Sequence, residues 1–144
     1  MIRRIIALVF LLTAVILGVI FYKNIDLPGT LEGYFQSSYY NQLGPLAICV
    51  ELLIAGLYLI IKHPKANFTL ALFAFTVILD PVFNALGLFN SQIPVYALLI
   101  FAACSILALW IAFSNAFGLG RISFLGASGS FLIGTAIELF FNYL

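Results

Sequence analysis

Residues 95–117 read VYALLIFAACSILALWIAFSNAF, a run without a single charged side chain. A bilayer's hydrocarbon core is about 30 Å thick, and a helix needs about 20 mostly apolar residues to cross it. Inside lipid the backbone must satisfy its own hydrogen bonds, which a helix does within the segment. The stretch is therefore expected to be a transmembrane helix. Four more long apolar runs lie at residues 46–61, 68–89, 122–143 and 5–22, the first three of these with one acid each. Turn-forming residues punctuate the gaps: Leu27-Pro28-Gly29, Gly44-Pro45, His63-Pro64-Lys65, Gln92-Ile93-Pro94 and Gly118-Leu119-Gly120-Arg121. Alternation at period two is missing from these runs, which sets aside the strands of a membrane barrel. The expected fold is all-α: one domain over residues 1–144, a polytopic membrane helix bundle with five transmembrane helices.

Composition leads to the same place. Hydrophobic residues make up 65% of the chain and charged ones 8%, against about a quarter charged in a soluble domain. A soluble fold of 144 residues leaves too much of its area in water to hide so much apolar surface. Lipid is the expected solvent. A net charge of +1, with no basic cluster interleaved with aromatics, excludes nucleic-acid binding. Cys49 and Cys104 sit inside apolar runs at a spacing that fits no metal or redox motif, and read as small buried hydrophobes. Arg3 and Arg4 before the first run also suit a signal peptide. That run is longer than a usual signal core, and no small-residue cleavage site precedes Phe21-Tyr22-Lys23, so a retained helix is expected.

Orientation follows from the basic residues. With the N-terminus in the cytoplasm, Arg3, Arg4, Lys62, Lys65 and Arg121 fall inside and only Lys23 outside, the bias of inner-facing loops. The C-terminus is then expected outside. Tyr22, Tyr34, Tyr39, Tyr40, Tyr96 and Tyr143 land near the outer boundary, with Tyr58 and Trp110 toward the inner one. Residues 23–43 form the longest stretch outside the spans. Thr30 is placed to cap a short helix with Leu31, Tyr34, Phe35 and Ser38 at helical spacing, lying flat on the outer surface.

Three of the chain's five acids fall inside the expected spans: Glu51, Asp80 and Glu138. A charge at mid-membrane costs about 2.5–3.5 kcal/mol on insertion scales, so such residues are expected to face the bundle interior. Each lies on a face of small or polar residues four apart. These are Ala47-Glu51-Ala55, Thr76-Asp80-Asn84 and Gly126-Ser130-Gly134-Glu138, with a comparable face Ser105, Ala108, Ala112, Asn115 on the fourth helix. Small residues at that spacing let helices approach closely. The candidate ion- or ligand-binding residues are therefore Glu51, Asp80, Asn84, Ser130 and Glu138, converging in the outer half of the bundle. All Lys and Arg residues lie at helix ends or in loops, so a proton, a cation, a polar ligand or a partner chain is expected to compensate the acids. The alternative is structural: a protonated acid hydrogen-bonded to Asn84, Ser130 or a backbone carbonyl, stitching helices together. Pro81 after Asp80 removes one backbone donor and is expected to bend the third helix there.

Other motifs read plainly. His63, with no partner at membrane depth, is a turn residue rather than a metal or haem ligand. Asn67-Phe68-Thr69 matches the glycosylation pattern but is expected on the cytoplasmic side. The small-residue run 126–130 lacks the Lys of a phosphate-binding loop and suits close helix contact. No set of nucleophile, base and acid is visible, so catalysis is not expected; no metal is called for, and the sequence leaves any cofactor open.

From Lys23 onward the order of features resembles the DoxX-like family of small bacterial membrane proteins. The elements that match are Lys23 at the first helix end and the loop Leu27-Pro28-Gly29-Thr30-Leu31-Glu32-Gly33-Tyr34. Leu43-Gly44-Pro45 follows, then Val50-Glu51-Leu52-Leu53-Ile54-Ala55-Gly56 and a short basic turn. The resemblance covers residues 23–83, less than half the chain. It implies a bacterial inner-membrane protein, sometimes linked to redox or thiol metabolism, and singles out Glu51. That family usually has four helices; a fifth span departs from it, and Asp80 and Glu138 have no counterpart. The leading functional expectation is a non-catalytic subunit, packed in the bilayer against other membrane subunits or copies of itself. The alternatives are a proton- or cation-coupled small transporter or channel using the intramembrane carboxylates, and a redox-associated accessory of the DoxX-like kind.

Overall fold

The structure, a computed structural model, describes residues 2–23, 25, 29–32, 37–87, 93–114 and 121–143. Its elements are α1 (Ile2–Lys23), α2 (Ser37–Ile61), α3 (Ala66–Ala85), α4 (Val95–Phe113) and α5 (Phe124–Tyr143). No strand occurs among the described residues. Within α1, α2, α3 and α4 the apolar stretches are long enough to cross a membrane; that of α5, Phe124–Phe140, is shorter. Exposed large hydrophobics run the length of the bundle, among them Leu12, Ile16, Leu99 and Ile106. Such a surface suits lipid, not water.

Several boundaries differ from the sequence-based ones. Gly44-Pro45 is not a break: both residues are buried and Pro45 lies within α2, which starts at Ser37. A proline costs a helix one backbone bond, and in lipid neighbouring helices make that loss tolerable. Ser38 and the residues up to 43 therefore continue α2, while Tyr34 and Phe35 lie outside the described residues. At its far end α3 stops at Ala85, short of 89. Leu86 N and Gly87 N bond back to the Val82 and Asn84 carbonyls, and Gly87 takes a φ of 80°, where a side chain is strained. For α4 the end is Phe113, because Ser114 turns extended and its hydroxyl donates to the Trp110 carbonyl. Asn115 lies outside the described residues.

At the centre stands α3, packed against α2, α4 and α5; α1 lies along α2, and α5 bridges α2 and α3. Phe73 of α3 meets Phe101 of α4 edge-on at 6.0 Å, and Phe21 of α1 closes on the same ring at 6.4 Å. Small residues set the spacing elsewhere. A Cβ on Gly56 of α2 would stand 3.3 Å from the Ala7 carbonyl oxygen of α1 and 3.0 Å from Leu11 Cγ. The acid-bearing faces point inward as expected: Ala55, Thr76 and Gly134 are buried beside the acids, and on α4 so are Ser105, Ala108 and Ala112. Cys49 and Cys104 are free and buried.

One end of the bundle collects the basic residues. Arg3 Nη1 donates to the carbonyls of Leu59 and Ile60 at 2.6 Å each, placing a cation on the C-terminal carbonyls of α2. α2 then closes with Lys62 in the left-handed region (φ 54°) and His63 N donating to the Tyr58 carbonyl at 2.9 Å. The His63 ring stacks on Tyr58 at 4.2 Å, and its Nδ1 accepts the Lys65 N–H at 3.1 Å. His63 is thus the turn residue expected, packed on Tyr58. Replacing Arg3 with glutamine is expected to cost about 1 kcal/mol, since one polar head serves two otherwise orphaned carbonyls. Thermal unfolding in detergent reads this out, and an unchanged melting temperature counts against the cap.

Candidate functional site

Glu51, Asp80 and Glu138 come from three different helices and are all buried, at 7%, 2% and 2% exposure. Asp80 and Glu138 sit near the C-terminal ends of α3 and α5, away from the basic end where both helices begin. Their carboxyls lie within hydrogen-bonding reach of each other, and Glu51 is close enough for its charge to bear on Glu138. The convergence expected from the i, i+4 faces is thus present for all three acids.

Thr76, one turn before Asp80, ties the third acid in. Its Oγ1 lies 3.3 Å from Glu51 Oε1 and 2.8 Å from the Leu72 carbonyl oxygen. A threonine hydroxyl carries one proton, so it donates to one of these oxygens at a time. The other oxygen of Glu51, Oε2, is buried and has no hydrogen-bond partner. An unsatisfied buried acceptor costs about 1–3 kcal/mol. Such a group is retained at a site more readily than in a plain packing contact.

Glycine makes the close approach possible. A Cβ on Gly134, one turn before Glu138, would stand 3.0 Å from Thr76 Oγ1 and 3.4 Å from Thr76 N. The backbone of α5 therefore rests on α3 at Thr76, which brings Glu138 down to Asp80. Phe75 and Phe131 hold the same pair of helices together edge-on at 5.7 Å.

Of the two other sequence candidates, one is bonded within its own helix and one sits at a helix end. Ser130 is fully buried, but its hydroxyl donates to the Ala127 carbonyl of its own helix at 2.9 Å. Asn84 lies one turn beyond Asp80 at the exposed end of α3. The reverse oversight is Thr76. Its place four residues before Asp80 was visible in the sequence; its role between acids was not, because a threonine in a helix usually bonds only to its own backbone.

The chemistry of this arrangement is narrow. An ionised carboxylate only accepts, so two carboxyls joined by a hydrogen bond must hold a proton between them. Among the described residues no group of three or more His, Cys, Asp or Glu is arranged to hold a metal ion. A proton, shared across α3 and α5 and overlooked by Glu51 from α2, fits the geometry.

Comparisons with protein-family models, with curated proteins and with solved structures find no match for this chain.

Proposed function

We propose that the chain is an integral membrane protein with five spans, its basic end in the cytoplasm, acting as a small proton-coupled carrier or channel. The hydrogen-bonded Asp80–Glu138 pair is the proton-holding element, and Glu51, with its uncommitted Oε2, is the neighbouring acceptor. Thr76 stands against Glu51 and, through Gly134, against the helix that carries Glu138. An acid inside a membrane is by default a candidate to bind or relay a cation, and protons are the smallest of these. The single observation carrying this reading is the carboxyl–carboxyl hydrogen bond across α3 and α5. The resemblance to the DoxX-like family adds a bacterial inner membrane as the proposed location.

Proton flux into liposomes under an imposed gradient tests it. Liposomes with the wild-type chain are expected to acidify faster than empty ones, and Asp80→Asn and Glu51→Gln to slow that rate severalfold. Equal rates for wild type and both variants rule out the carboxyl mechanism.

A second reading, a non-catalytic subunit of a larger membrane complex, draws on α5. Among the described residues that helix packs chiefly on α2 and α3 and leaves Phe124, Leu125 and Leu132 more than half exposed. Mass measurement in mild detergent separates the two readings, since a lone stable monomer counts against the subunit.

A further inference from the structure

At the basic end, opposite the acids, the turn before α3 and the start of α5 enclose a cavity of ≈ 460 Å³ lined by Lys65, Phe68, Arg121, Ile122 and Ser123. Among the described residues no acidic side chain lines it beside these two cations. The acids within the described helices lie in the other half of the bundle, and neither α3 nor α5 has an acidic residue in its first turn. This inverts the usual arrangement, in which helix N-termini attract anionic side chains and repel cations. Lys65 occupies the capping position of α3, which has no side-chain cap, so positive charge and the positive end of the helix dipole face the same space. By contrast α5 is capped in the ordinary way, Ser123 Oγ accepting the Gly126 N–H at 2.9 Å. The cavity wall is mixed, polar beside Lys65, Arg121 and Ser123 and apolar beside Phe68 and Ile122.

We infer that this cavity binds a phosphate-bearing anion, held by the Lys65 ammonium and the Arg121 guanidinium over the first turn of α3. Arginine grips phosphate with two parallel hydrogen bonds and lysine as a point charge. The anion brings the countercharge that the described residues do not place there. Its source is the headgroup of an anionic phospholipid, whose glycerol and first methylenes meet Phe68 and Ile122, or a free phosphate. This site is independent of the carboxyl pair and stands or falls without it.

Two measurements on the purified full chain distinguish the sources. Native mass spectrometry from mild detergent compares retention of phosphatidylglycerol and phosphatidylcholine, and thermal unfolding in the same detergent compares inorganic phosphate with chloride. The double substitution Lys65→Gln, Arg121→Gln is set against Lys62→Gln, which removes a cation from the same end but not from the cavity wall. Unchanged helical circular dichroism and elution confirm that each variant is folded. Phosphatidylglycerol is expected to be retained over phosphatidylcholine by wild type and Lys62→Gln, with retention about tenfold lower in the double variant. Protection by inorganic phosphate that the double variant loses assigns a free anion, and lipid selectivity without such protection assigns the headgroup. Absence of both effects, or an equal loss in Lys62→Gln, overturns the proposal.

Discussion

Glu138→Gln is expected to leave the bundle folded while cutting proton flux by about a hundredfold, the lower end of the range for loss of a proton-transfer group. Glutamine keeps the length of the side chain and can still donate to Asp80, so the link between α3 and α5 survives. It cannot release a proton, so the relay stops. Glu138→Leu separates the roles the other way. It removes the partner of Asp80, which is 2% exposed, and leaves a buried carboxyl unsatisfied at a cost of about 1–3 kcal/mol. The pair of variants is informative because stitching and proton handling predict different splits. Were Glu138 only a stitch, glutamine would preserve flux as well as stability. Flux in liposomes and melting temperature in detergent, measured on the same preparations, give the answer.

Gly134→Val is expected to destabilise the packing of α5 by about 1–3 kcal/mol, the range for overfilling a close-packed contact. The position tolerates no bulk, because a Cβ there already falls 3.0 Å from Thr76 Oγ1 and 3.4 Å from the Thr76 backbone nitrogen. The backbone cannot yield as a flexible side chain would, so α5 must move outward, taking Glu138 from Asp80. Flux is expected to fall with stability. Gly129→Ala is the natural control on the same helix. A Cβ at that position meets only Phe68 Cε2, at 3.7 Å, an ordinary contact. Alanine also favours a helix by about 1 kcal/mol over glycine, so Gly129→Ala is expected to hold or raise the melting temperature. A lower melting temperature for Gly129→Ala than for Gly134→Val contradicts the assigned contact at Thr76.

Much of this was legible from residue spacing. Long apolar runs without period-two alternation specify helices in lipid, because a helix satisfies its own backbone hydrogen bonds there, and all five runs became helices. The acids at 51, 80 and 138 could be assigned to one buried cluster because each shares its face with small residues, and a buried charge needs company. Helix ends were less readable. Gly44-Pro45 looks like a stop by local chemistry, yet α2 runs through it, since tertiary burial of both residues outweighs the loss of one donor. Asn84 lies on the same face as Asp80 in projection, but α3 ends one residue later, at Ala85, and its last turn leaves the packed core. Distances that set the chemistry, such as the hydrogen bond between Asp80 and Glu138, depend on how deeply Gly134 lets α5 settle on Thr76. Periodicity names the face that is buried; it does not give the depth.

Infrared spectroscopy of the purified protein at neutral pH tests the shared proton most directly, because a protonated carboxyl and a carboxylate absorb at separate carbonyl-stretch positions. Wild type is expected to show a protonated-carboxyl band that shifts in heavy water and disappears in the double variant Asp80→Asn, Glu138→Gln. A wild-type spectrum holding carboxylate bands alone, or a protonated band that persists unaltered in that variant, contradicts a proton held between α3 and α5.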